Sequence, residues 1–431
     1  MAAPAPDKIF SLEGKVLKLD TAEDLEAHIG PLRAMEDVEE VRVLGNTLGI
    51  EACKRLGEVL ATKKSLKVAN LADIFTGRLL NEIPVALSSL LNSILNLPNL
   101  RTINLNDNAF GLNTQAPLVE FLKRHVPLQH LYLNNNGLGP HAGILIADAL
   151  SELHARKEEA RKSGQQDVPY LETVICGRNR LEDGSMAAWA KTFSLHNKVQ
   201  EVKMVQNGIR QQGIAHLLSE GLSRATDLRV LDLQDNTFTI TGARALAKVA
   251  PGWAEIRELG VGDSLLGAKG GVLVAGALAR GQNPRLEVLR LQYNDITAPG
   301  LKGFADAARD ALPALRKIEL NGNKFTEDDV SILALQELLE ARKEKFGGDI
   351  VDEDAWGLDE LDELEDVDSD EEEEDDDDDE EEKEAEPEKV EPEKKAEKLL
   401  KEEQAAQEEP TVQRKDNDVD ALARELEKTR I

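Results

Sequence analysis

The sequence predicts an α/β fold: a solenoid of inner parallel strands and outer helices, followed by a disordered acidic C-terminal tail. Three observations predict it. An eleven-residue pattern, L-x-x-L-x-L-x-x-N-x-L, recurs ten times between residues 38 and 325. The usual step between recurrences is 28 to 30 residues, enough for a strand, a turn and a helix in each unit. The charge is concentrated at one end: residues 352–431 hold 38 Asp and Glu against 11 Lys and Arg, whereas residues 1–351 hold 44 against 41.

Each element follows from the pattern. The L-x-L pair reads as a short strand whose alternate side chains enter the core. Leu131 and Leu133 are one such pair, and Leu231 and Leu233 another. The asparagine three residues on satisfies backbone groups where the chain leaves the strand, as short amides do in turns. It is present in eight of the ten units, and Ile74 and Ser264 replace it in the other two. Segments such as "APLVEFLKRHV" and "GARALAKVAPGW" then place apolar residues at helical spacing. This is a leucine-rich repeat array, expected as a horseshoe because a layer of helices is wider than a layer of strands. No unit buries its apolar face alone, so stacking makes the core. The array is expected over residues 1–348, as about eleven repeats if Leu17-Lys18-Leu19 is a degenerate N-terminal cap. Residues 349–431 are assigned to the tail, whose low apolar content cannot offset its ordering entropy. It holds an unbroken run of 13 carboxylates, Asp370 to Glu382.

Two steps are long. The step from Leu66 to Leu100 is 34 residues and contains "DIFTGRLLNEIP", where the asparagine is missing and Arg78 follows. Ile74 and Phe75 are expected to anchor this rebuilt turn by packing, with Gly77 giving backbone freedom and Arg78 carried to the rim. Pro84 suits the first turn of the helix that follows. The step from Leu128 to Leu171 is 43 residues and contains "ARKEEARKSGQQD", expected as a helix extension and an exposed loop.

Enzyme constellations are missing from the sequence. No phosphate-binding loop, H-E-x-x-H, C-x-x-C or G-x-S-x-G occurs. Cys53 and Cys176 read as small buried hydrophobes of a chain in a reducing compartment. The N-terminus has no signal-peptide pattern and no run is apolar enough for a membrane span, so neither secretion nor membrane insertion is expected. A binding surface is expected instead, at the residue preceding each asparagine position. That column reads Gly45, Asp73, Asp107, Asn135, Arg178, Gln206, Asp235, Asp263, Tyr293 and Gly322. It is polar and mostly acidic, which suits a basic or mixed-charge protein and not nucleic acid.

The segments "FTGRLLNEIP" (75–84), "LYLNNNGLGP" (131–140), "ICGRNRLEDGSM" (175–186) and "LRLQYNDI" (289–296) resemble the fungal Ran GTPase-activating proteins. The likeness runs in order along the array, and the acidic tail also stands in the family's place. It implies a regulator of an enzyme: one that stimulates GTP hydrolysis by Ran in its GTP form and keeps cytoplasmic Ran in its GDP form for nucleocytoplasmic transport. It implies no cofactor, since GTP and Mg²⁺ come with the GTPase. Asn135 matches the asparagine that orients the GTPase's glutamine, and Arg78 matches an essential interface arginine. An inserted arginine finger is worth on the order of 10³–10⁵ in rate, but the family is described as working without one. The expected molecule is a cytoplasmic monomer, with shuttling or a perinuclear position as variants. A Ran-binding protein is a candidate third member of the complex. The alternative is a non-catalytic repeat protein with an acidic tail that binds basic partners such as histones. A ribonuclease-inhibitor-like binder is disfavoured by the two cysteines.

Overall fold

The structure is a computed structural model that describes residues 4–112, 114–347 and 353–365. They lie in one compact unit spanning residues 1–368. Of the expected disordered tail, residues 349–352 and 366–431, the carboxylate run included, lie outside the described residues.

Strands of two or three residues form one parallel sheet of twelve, laid down in chain order from Ile9–Ser11 and Glu40–Arg42 to Lys317–Glu319 and Gly357–Leu358. The middle residue of each strand is in register with the next, so that Val68, Ala69 and Asn70 face Thr102, Ile103 and Asn104. Those middle residues, from Phe10 through Leu131 and Leu231 to Ile318, are buried. Helices form the second layer, each packed beside the next. One apolar core runs through all the repeats.

Both ends differ from the sequence reading. The first strand of the sheet is Ile9–Ser11, whereas Lys18–Leu19 pairs with Thr47–Leu48 in a separate two-stranded sheet. Phe10 and Leu12 therefore fill the first unit's strand positions, and Leu17 lies beyond its turn. The Leu17 N–H donates to Asn46 Oδ1 at 2.8 Å, as that of Ile209 does to Asn236 at 3.1 Å. At the other end, residues 353–365 add the Gly357–Leu358 strand despite their acidic composition. Leu358, Leu361 and Leu364 pack on the core. The Asp359 carboxylate accepts the N–H groups of Leu320 at 2.7 Å and Asn321 at 2.9 Å, closing the last repeat.

The recurring asparagine has its expected role. The Asn136 amide donates to the Leu133 carbonyl of its own unit at 2.9 Å and to that of Leu105 in the preceding unit at 3.0 Å. Its oxygen accepts the Asn108 N–H at 2.8 Å. The same arrangement links Asn179, Asn207, Asn294 and Asn323 to their neighbours. A buried ladder of amides thus satisfies backbone groups that would otherwise be orphaned.

A second set of donors serves the opposite end of seven of the units, where the chain returns from helix to strand. Lys63, His125, Lys157, His196, Trp253, Asn283 and Arg342 each reach backbone carbonyls of the preceding unit. The long insertion belongs to this system. Its residues extend one helix, Gly139–Lys162. Within that helix the Lys157 ammonium is buried and donates to the carbonyls of Val126, Leu128 and Pro169. Arg161 lies 4.0 Å over the Tyr170 ring, so the insertion is fastened at its base.

His196 gives this system a pH signature. Its Nε2 lies 2.8 Å from the Leu150 carbonyl oxygen, and burial pushes its pKa down to about 3. The folded value lies below the unfolded one of about 6.5. Its contribution is therefore complete above about pH 6.5 and lost as pH falls toward 3, at about 1.4 kcal/mol per pH unit. At pH 5 the wild-type chain is expected to take up about one more proton on unfolding than a His196→Gln variant. The pH slope of stability, measured by chemical denaturation, checks this; equal slopes contradict it.

Candidate functional site

The rim column predicted from the sequence has one backbone conformation. Every residue in it has a positive φ, from 48° at Asp73 and Asp263 to 70° at Gly45. From Asp73 to Arg178 the column N–H groups reach across to the next unit: Asp73 to Asn106 O, Asp107 to Asn134 O, Asn135 to Gly177 O and Arg178 to Val205 O, at 2.8–2.9 Å. Successive side chains therefore follow the strand spacing of about 4.8 Å. Glycine, asparagine and aspartate tolerate this left-handed region, which accounts for seven of the ten residues by backbone needs alone. Arg178, Gln206 and Tyr293 lack that tolerance.

Around Asn135 the column is polar and open. Asn135, Asp107, Arg178 and Gln206 are exposed. The Asn135 Nδ2 donates to Asp107 Oδ1 at 2.8 Å, tying two neighbouring rim positions together. A carboxylate oxygen only accepts here, so the amide nitrogen faces Asp107 and the amide oxygen lies on the other side of the group. Asp73 accepts from the Thr76 hydroxyl within its own turn. Farther along, burial and the neighbouring Asp263 both raise the pKa of Asp235. Tyr293 donates its hydroxyl to Glu363 of the closing segment, and its ring covers the space that a Cβ on Gly322 would fill.

Arg78 is not where the sequence reading placed it. Ile74 and Phe75 are buried as expected, Phe75 lies edge-on to Phe110 at 6.3 Å, and Gly77 has φ 78°. The guanidinium, however, is not carried to the rim. It folds back over the first two units, with its side chain only 9% exposed. Nη1 donates to Asp20 Oδ1 at 2.5 Å, Nε to the Thr47 hydroxyl at 3.0 Å, and Nη2 to the Thr47 carbonyl at 3.0 Å and that of Leu19 at 3.4 Å. The Arg78 hydrogen bond holds the Asp20 carboxyl below the usual carboxylate range. These partners come from units before the turn, whereas Asn135 comes from a unit after it. The structure does not bring the two into contact.

Sequence reasoning missed Asp20 and Thr47, because nothing in the repeat pattern singles them out. It also missed Arg180. The position after the asparagine, or after Ser264 in its place, is left-handed in six of the ten units, at Ala109, Gly137, Arg180, Gly208, Leu265 and Asp295. The glycines at 137 and 208 were the available signal. Among the described residues no group of three or more His, Cys, Asp or Glu is arranged to hold a metal ion. No helix among them is long and apolar enough to cross a membrane.

Comparison with known proteins adds the family. A family model described as Leucine Rich repeat matches residues 224–247 and 282–305. A Ran GTPase-activating protein of Saccharomyces cerevisiae is 39% identical over 338 residues, covering 77% of this chain and 82% of that protein. One from Drosophila melanogaster is 34% identical, covering 74% of this chain and 53% of that protein. A ribonuclease inhibitor of Sus scrofa is 26% identical, covering 70% of this chain and 62% of that protein. These relatives do not favour the histone-binding alternative.

Proposed function

The chain belongs to the Ran GTPase-activating protein family, and from that premise we propose that it accelerates GTP hydrolysis by Ran, acting in trans from the rim around Asn135. The observation that carries the assignment of the site is the Asn135 amide, exposed at the rim and fixed at its nitrogen end by Asp107. Its free oxygen accepts the side-chain N–H of the GTPase's glutamine. That contact turns the glutamine carbonyl toward the attacking water, the alignment that phosphoryl transfer requires. The GTPase brings the nucleotide and Mg²⁺.

Arg78 acts from a distance in this reading. Held by Asp20 and Thr47, it fixes the 73–82 turn, and with it the start of the rim that leads to Asn135. Asp73, Asp107, Gln206, Asp235, Asp263 and Tyr293 supply the polar rim on which the GTPase sits. We place the protein in the cytoplasm as a monomer acting on the GTP form of Ran, with room for a Ran-binding protein in the complex. Catalytic amounts of the full-length protein added to Ran·GTP should speed phosphate release. No acceleration removes the reading.

A further inference from the structure

Beside Asn135 stand two arginines without partners. Arg178 takes the next rim position and Arg180 lies two residues on; both are exposed. Neither guanidinium has a hydrogen bond or ion pair among the described residues. This is not for want of acids. Glu182 and Asp183 follow within five residues, but the Asp183 carboxylate accepts the Arg210 N–H at 2.7 Å. The Glu182 side chain lies toward Gly208.

The backbone sharpens the contrast. Arg178 has φ 56° and Arg180 φ 53°, a region that penalises residues with a Cβ. Elsewhere in these two columns the region is mostly held by glycine, asparagine or aspartate. Gln206 and Leu265 hold the same conformation with exposed side chains, and what sets the two arginines apart is that each carries an unpaired charge there. Space is also left beside them. Arg180 stands between Gly137 and Gly208 of the adjoining units. A Cβ at Gly137 would meet nothing within 4 Å, and one at Gly208 only Glu182 Cγ at 3.8 Å.

We propose that Arg178 and Arg180 form a docking point for carboxylates on the surface of the partner GTPase, seating it so that its glutamine meets Asn135. The proposal rests on the function given above. Guanidinium pairs suit carboxylates through two parallel hydrogen bonds. A nucleotide phosphate is the other oxyanion to weigh. Asp107 and Asp73 occupy the next two rim positions beyond Asn135, and their charge opposes a polyphosphate laid along this stretch. A carboxylate that meets only the arginine end does not face them.

The test uses full-length Arg178→Asn and Arg180→Asn variants with Ran·GTP, because asparagine tolerates the left-handed backbone and removes the charge. Each is expected to raise the Ran·GTP concentration for half-maximal rate about 10-fold. The rate at saturation should stay within about twofold of wild type, and the melting temperature should be equal or higher. Salt should weaken the wild type more than the variants. A fall in the saturated rate with an unchanged half-maximal concentration overturns the proposal in favour of a phosphate contact. A fall in melting temperature with no kinetic change assigns the arginines to the fold and also overturns it. Wild type and Asn135→Ala run alongside: an inactive wild type is a failure of the function itself, whereas an active wild type matched by both variants is a failure of this inference alone.

Discussion

Arg78→Ala is expected to cost at least about 100-fold in stimulated hydrolysis while the array stays folded. The reason is geometric. The guanidinium is packed against Asp20, Thr47 and Leu19, and its hydrogen bonds tie the 73–82 turn to the first two units. Removing them unties the turn from the first two units; the ion pair itself adds little, because Asp20 is exposed. The loosened turn begins with Asp73, two rim positions from Asn135. Misplacing a contact surface by about 1 Å is enough for a 10²-fold loss. A second variant separates this from a direct contact with the GTPase. If Arg78 works where it stands, Asp20→Ala should reproduce part of the loss, about 10-fold. If the arginine instead swings out to touch the GTPase, Asp20→Ala frees it and activity should hold or rise. Amide hydrogen exchange over residues 73–82 should speed up in both variants under the first account.

Asn135→Ala is expected to lower the saturated rate by about 10²–10³, the scale of losing one group that orients the reacting centre. The array should lose only about 1 kcal/mol, because alanine tolerates φ 53° less well than asparagine and nothing buried is removed. Asn136→Ala, one residue away, should show the reverse pattern in stability. It strands the carbonyls of Leu105 and Leu133 and the N–H of Asn108, for an expected cost of about 3–5 kcal/mol. Thermal or chemical denaturation of the two variants side by side checks this. Equal destabilisation would make Asn135 another structural amide. Asp107→Ala should fall between, since Asn135 keeps its amide but loses the partner that fixes its orientation.

The repeat and its core were legible in the sequence because they rest on local periodicity. The L-x-L strands, the buried asparagine ladder and the packing of Ile74 and Phe75 all follow from side-chain alternation and turn chemistry. The rim column was legible by position, but not its left-handed backbone, which the pattern does not encode. That conformation changes the meaning of its residues: the aspartates become partly a backbone preference, and Arg178 stands out. Arg78 was misplaced for a different reason. Its partners Asp20 and Thr47 lie 58 and 31 residues away, and only the stacking of units brings them to it. The closing strand at Gly357–Leu358 was hidden by composition, since three leucines were averaged into a field of carboxylates. The N-terminal strand was misassigned because Leu17 and Leu19 imitate the L-x-L pair that Phe10 and Leu12 supply.

The decisive measurement is single-turnover hydrolysis of Ran·GTP at saturating full-length protein. Wild type should accelerate phosphate release by at least about 10³-fold over Ran alone, and Asn135→Ala, equally well folded and equally saturating, should lose most of that gain. An unaltered Ran rate with wild type, or an Asn135→Ala variant as fast as wild type, would contradict the proposed function.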